Sequence, residues 1–201
     1  MKQIAAFIIS LVCLSYAHSL YAQTSQQGSY KNIFKGKTTV GILYSFGDNS
    51  LNSSQNIVGG PGYYGKGFYG VVTRVSVQVI NNLDIVTGLS IIGNKFEVTP
   101  APIGTPVLTR SLNINVFSIP LFAKYHFLKF LYVSGGPVFN LNGGERDLNG
   151  IGAGADFGGE YLFNNGMVLS FGPFMRIIGI VPWKTYKLTN TGVNFGISYR
   201  F

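Results

Sequence analysis

Residues 112–140, LNINVFSIPLFAKYHFLKFLYVSGGPVFN, constrain this chain more than any other stretch. Phe117, Ile119, Leu121, Ala123, Tyr125 and Phe127 share one parity. Ser118, Pro120, Lys124 and His126 fall on the other, with Phe122 as the apolar exception. A period of two belongs to a strand, whose successive side chains point to opposite faces. The chain turns at Leu128 and Lys129 and returns through a second β-rich arm, 130–140. Each arm is about 10 residues or longer, the length a tilted strand needs to cross the hydrocarbon of a bilayer. A soluble domain rarely needs arms so long joined so tightly, so the stretch reads as one hairpin of a transmembrane β-barrel.

Composition agrees with that reading. The 201 residues are one domain's worth of chain, 46% hydrophobic and 11% charged, where a soluble domain carries roughly 25% charge. Beyond residue 22 no run of 18 apolar residues occurs, so no transmembrane helix can be drawn. An apolar chain without such a helix is either a sandwich with a greasy surface or a barrel facing lipid. Its 27 glycines and 14% aromatic content favour the barrel. The net charge of +8 is scattered one or two residues per segment rather than gathered in a stripe, which excludes nucleic acid as a partner. The single cysteine, Cys13, excludes a disulfide scaffold and a thiolate metal site.

In order, residues 1–22 have a basic start at Lys2, an apolar run and a small residue, Ala22, before Gln23: a secretory signal peptide. Val12 is a poor small-residue position ahead of Cys13, which argues against a lipoprotein cysteine. Residues 23–36 are polar and read as a periplasmic lead-in, and 37–201 as the barrel domain. Strands are predicted at 37–46, 68–80, 83–96, 112–127, 130–140, 150–163, 167–180 and 190–201. The connections alternate long and short, the layout of an outer-membrane barrel with long external loops and short periplasmic turns. The fold class is therefore all-β, an eight-stranded antiparallel up-and-down transmembrane β-barrel. Pro120, Pro137 and Pro173 each remove a ladder donor, and local bulges are expected there.

The segments SIPLFAKYHF and LYVSGGPVFNL, the later GIGAGADFGGEYLF and the ending GVNFGISYRF resemble an outer-membrane β-barrel family of Bacteroidetes-type bacteria, the porin-family and PorT-like proteins. The resemblance spans residues 37–201 and is most specific over 119–139. It implies an eight-stranded fold and an outer-membrane location, with outer-membrane lipid, lipopolysaccharide and the barrel-assembly machinery as partners. PorT-like character adds secretion-system proteins to that set. No particular activity follows from it.

The last strand shows which face is which. Thr191, Val193, Phe195, Ile197, Tyr199 and Phe201 alternate with Gly192, Asn194, Gly196, Ser198 and Arg200. The apolar set must face lipid, because a cation at mid-depth costs roughly 2–4 kcal/mol. Phe195, Ile197, Tyr199 and Phe201 also resemble the C-terminal signal read by barrel-assembly machinery. The same parity places Arg74, Asp84, Lys124, Asp156, Glu160, Arg176 and Arg200 in the lumen. Eight strands leave an interior that side chains fill, so these charges must pair. A network centred on Asp156 and Glu160 with two or more of the cations is expected, serving stability and plugging rather than conduction.

Other candidates are weaker. Residues 65–70 fit G-x-G-x-x-G but lack the following helix a nucleotide fingerprint needs, so they read as a loop hinge. Catalysis would need a base such as His126, which is predicted at the periplasmic end, about 26 Å along its strand from Ser118. No catalytic residue, cofactor or metal site is expected. Tyr63, Tyr64, Phe68, Tyr69, Trp183 and Tyr186 suggest a sticky external rim or, preferably, an interfacial aromatic girdle. The function expected is structural or surface-interacting and non-enzymatic. The alternatives are a part in a protein-secretion apparatus and passage of small hydrophobic solutes through a lateral opening.

Overall fold

The computed structural model describes residues 38–53, 62–100, 108–127, 130–141, 148–182 and 186–201. The expected signal peptide and lead-in (1–36), the turn at Leu128 and Lys129, and Trp183 lie outside the described residues. Eight strands follow one another: β1 (Thr38–Ser53), β2 (Gly62–Ile80), β3 (Leu83–Thr99), β4 (Arg110–His126), β5 (Leu131–Leu141), β6 (Gly150–Leu162), β7 (Met167–Val181) and β8 (Tyr186–Arg200). Each pairs antiparallel with the next, and β8 pairs with β1 from Thr39↔Arg200 to Ser53↔Tyr186, closing the barrel.

The register fixes the geometry of the cylinder. The paired positions Thr38, Val77, Ile85, Ala123, Gly135, Ala155, Met175 and Thr191 form one row around the sheet, which returns to β1 at Asp48, ten residues from its start. With eight strands, that stagger tilts each strand by about 40° from the axis.

Several strands outrun their expected ends at the long-connection side. β1 continues past 46 to Ser53, β2 begins at Gly62 rather than 68, and β8 begins at Tyr186 rather than 190. The extra residues are polar on the outer face (Asp48, Ser50 and Asn52 on β1), a composition shared with connections. Strand pairing continues through them because β1 and β8 support each other beyond the lipid belt. Gly65–Gly70, expected to be a loop hinge, therefore lies within β2, at a register shift between Gly65 and Phe68 where Gly67 has φ +88°.

The prolines carry no bulges. At Pro120 the β3–β4 pairing is interrupted between Thr87↔Leu121 and Ser90↔Ser118, and at Pro137 the β4–β5 pairing is interrupted between Pro120↔Val138 and Ala123↔Gly135. At Pro173 the β6–β7 pairing is interrupted between Asp156↔Phe174 and Gly159↔Phe171. Register is the same on both sides of each gap, so the sheet loses a few bonds and keeps its face assignment. A one-residue slip would have exchanged lumen and lipid faces, which is costlier than a local loss of bonds.

The two faces are chemically opposite. Ile42, Tyr44, Val71, Ile91, Leu121, Phe157, Phe171, Phe195, Ile197 and Tyr199 point outward and are exposed. On β3 this belt runs from Ile85 to Gly93 and ends at Lys95, a height of about 20–25 Å along the axis, matching a barrel's apolar band. So large a continuous apolar surface is not compatible with water as its solvent. At the short-turn end the belt is edged by packed aromatic pairs, Phe127–Phe157, Phe130–Tyr161 and Tyr199–Phe201.

Ile197→Arg is expected to destabilise the barrel by about 2–4 kcal/mol in urea unfolding from liposomes. Ser198→Ala, one residue along but facing the lumen, is expected to cost far less.

Candidate functional site

The lumen is where this chain concentrates its chemistry, and it is graded along the axis. At the short-turn end are the charges. Glu160 Oε1 accepts a short hydrogen bond from Lys124 Nζ and lies 3.5 Å from Arg74 Nη1. Arg74 Nη2 also lies 3.7 Å from Asp156 Oδ2, which accepts from Ser134 Oγ at 3.3 Å. Lys124 packs over the Tyr132 ring, 4.5 Å from its centroid. Arg74 thus bridges the two β6 carboxylates, and its contacts are long enough to be charge attraction more than hydrogen bonding.

The remaining sequence-predicted charges are placed differently. Asp84 is buried, but its Oδ2 accepts from Ser76 Oγ at 3.0 Å and lies 3.2 Å from His126 Nε2. Arg176 is buried with Nη1 donating to Ser90 Oγ at 2.9 Å and its guanidinium over the Phe174 ring. Arg200, at the end of the wall, is half-buried and donates from Nε to Thr39 Oγ1 at 3.3 Å. Neither Arg176 nor Arg200 is within ion-pair distance of a carboxylate among the described residues. Phe195, Ile197 and Tyr199 face outward along β8, with Phe201 exposed just beyond it.

Above the charges lies a layer of amides and hydroxyls. Ser45 bonds Asn194, Ser118 bonds Asn140, and Asn49 bonds Asn94. Two apolar groups fill the space beside them, Phe68 with Ile92 and Phe174, and Val86 with Phe122 and Val138. The wall opposite Phe122 is glycine for a steric reason: a Cβ on Gly154 would come 2.6 Å from the Phe122 ring. At the long-connection end, Leu51, Phe96, Ile114, Val116, Leu148, Ile178 and Leu188 form a buried cluster, with Tyr63, Leu112 and Tyr186 packed on it.

That upper cluster corrects the expected aromatic girdle, and the alternative external rim, at three of its residues. Phe68 is in the lumen, and Tyr63 and Tyr186 meet edge to face over the cluster, 6.0 Å between ring centres. Tyr64 and Tyr69 alone of the described set face outward and exposed. Parity already put Phe68 on the Arg74 face of β2. Only the longer course of β2 and β8 brings Tyr63 and Tyr186 over the mouth.

Space between the paired charges and the apolar groups is small. A cavity between Arg74, Asp156, Arg176, Val86, Pro120 and Phe122 measures about 10 Å³, the size of roughly one water. His126 and Ser118 are tied to different partners, Asp84 and Asn140, so they form no nucleophile–base pair. Among the described residues no group of three His, Cys, Asp or Glu is placed to hold a metal.

No protein-family model matches the chain, and no curated protein does. Solved structures do. The fold is similar to the outer membrane protein AlkL in lipid bilayers, at 14% identity and TM-score 0.54, over 88% of this chain and 95% of that one. It is similar to the outer membrane protein OprG from Pseudomonas aeruginosa, at 11% identity and TM-score 0.54, over 83% and 96%. It also matches Ail, the attachment invasion locus protein of Yersinia pestis, at 12% identity and TM-score 0.50, over 84% and 100%. At these identities the likeness is one of fold: a closed barrel of eight antiparallel strands, as in small outer-membrane proteins.

Because Glu160 faces two cations, Glu160→Gln is expected to destabilise the barrel by about 3–5 kcal/mol, leaving Lys124 and Arg74 short of a partner. Glu160→Leu combined with Lys124→Met is expected to cost less than the sum of the single changes. Unfolding midpoints of the unaltered protein, Glu160→Gln, the two other single variants and the double variant in one detergent check both.

Proposed function

We propose that this protein is an integral outer-membrane β-barrel of the porin-family and PorT-like kind, non-enzymatic, with a plugged lumen and a structural or surface-interaction role. One observation carries the reading. An apolar belt about as tall as bilayer hydrocarbon surrounds a lumen in which Arg74 and Lys124 pair with Asp156 and Glu160 and apolar side chains pack at the upper end. A cleaved signal peptide over 1–22 delivers the chain across the inner membrane, and assembly machinery reads Phe195, Ile197, Tyr199 and Phe201. A part in protein secretion is the finer form of this reading and rests on the sequence resemblance alone. Loss of secreted proteins in a deletion strain supports that finer form, and unchanged secretion removes it.

A second reading, lateral passage of small hydrophobic solutes, is favoured by a particular feature of β4. Its pairing is interrupted on both sides, toward β3 beside Pro120 and toward β5 opposite Pro137, so the wall is least tied there. Uptake of an alkane or fatty-acid tracer by proteoliposomes carrying the pure protein decides between the two.

The protein is expected to remain with outer membranes after an alkaline wash and to change gel mobility on boiling. It is expected to show no open-channel conductance in planar bilayers. Recovery in the wash, or a conductance of porin size, overturns the proposal.

A further inference from the structure

We infer that the outer flank of β2–β4, just above the apolar belt, binds the phosphorylated sugar headgroup of an outer-leaflet glycolipid, with Lys95 and Asn115 as the contacts and Tyr69 holding the lysine. This deepens the outer-membrane reading above and rests on it. Tyr69, Gly93 and Asn115 are register partners in one row across three strands, and Lys95 with Asn113 forms the next outward-facing row toward the long connections. Lys95 stands about 10 Å along the axis beyond Ile91, the last exposed aliphatic residue of the belt on β3, which is headgroup depth.

The local chemistry fits that depth. The Lys95 ammonium lies over the Tyr69 ring, 5.6 Å from its centroid. The Asn115 amide and the Tyr69 ring lean over Gly93, where a Cβ would meet Asn115 Oδ1 at 3.2 Å and the ring at 3.6 Å. The Lys95 ammonium and the Asn115 amide thus stand on adjacent outward-facing rows, the one suited to a phosphate and the other to sugar hydroxyls.

The flank is also short of negative charge. Its outward carboxylate on β2–β4, Glu97, is ion-paired with Lys66. No carboxylate among the described residues is within ion-pair distance of Lys95. The adjoining connections, 54–61 and 101–107, contain no Asp or Glu in sequence. The cation of Lys95 therefore has an aromatic face as its neighbour and an unmet need for an anion. Charge-assisted contacts of this kind are what phosphate headgroups supply.

The test uses the whole barrel in phosphatidylcholine nanodiscs, titrated with diphosphoryl lipid A, with lipid A stripped of phosphate and with inorganic phosphate, bound species being counted by native mass spectrometry. Diphosphoryl lipid A is expected to bind, and Lys95→Glu to weaken it about ten-fold or more. Asn115→Leu is expected to weaken it several-fold, with heat-dependent gel mobility unchanged in both variants. Binding within two-fold of the unaltered protein in both variants overturns the site. Equal binding of dephosphorylated lipid A reduces the effect to acyl-chain solvation and overturns it as well. Inorganic phosphate displacing the lipid at similar affinity makes this a soluble-anion site and overturns the lipid assignment. Failure of the outer-membrane reading is read separately, as protein recovered in the alkaline wash.

Discussion

Hydrogen-bond closure is the constraint from which the other features follow. Inside hydrocarbon an unpaired backbone N–H or C=O costs several kcal/mol, and a sheet meets that demand along its whole length only by having no edge. The pairing of β8 with β1 over fifteen residue pairs removes the last edge. Once the sheet is closed, each strand has one face in lipid and one in the lumen. The strict alternation of β8 is the sequence-level record of that division.

Closure also decides where charge can go. A tube of eight strands with a ten-residue stagger is narrow, so lumen side chains on opposite walls come within reach of one another. Arg74 reaches Asp156 and Glu160 on the far wall, and Lys124 shares Glu160. Pairing offsets much of the desolvation that burial imposes. Small residues make room for this: Gly154 gives way to Phe122, and the bulk of one wall fits the hollows of the other.

Function is confined by the same geometry. The described lumen is charged toward one end, amide-lined in the middle and apolar at the upper end, a grading that supports the plugged reading proposed above. The outside offers the belt, the polar flank above it and the ends of the tall strands. The proposed roles accordingly concern lipid and surface contact.

The alternation of apolar and polar residues, the short turns and the low charge content determined eight strands, their order and the face of each. Those properties depend on a residue's immediate neighbours, so they are legible locally. His126 shared parity with Lys124, yet its contact with Asp84 depends on the β3–β4 register, which the long connection between them leaves open. The same is true of Arg176 turning to Ser90, of the register kept through three prolines, and of Tyr63 and Tyr186 meeting over the upper cluster. Alternation along each strand was enough to place the charged residues Arg74, Asp84, Lys124, Asp156 and Arg176 on the lumen face. Only the closed barrel decided which of them meet, because stagger and strand overrun are set by pairing between segments far apart in the chain.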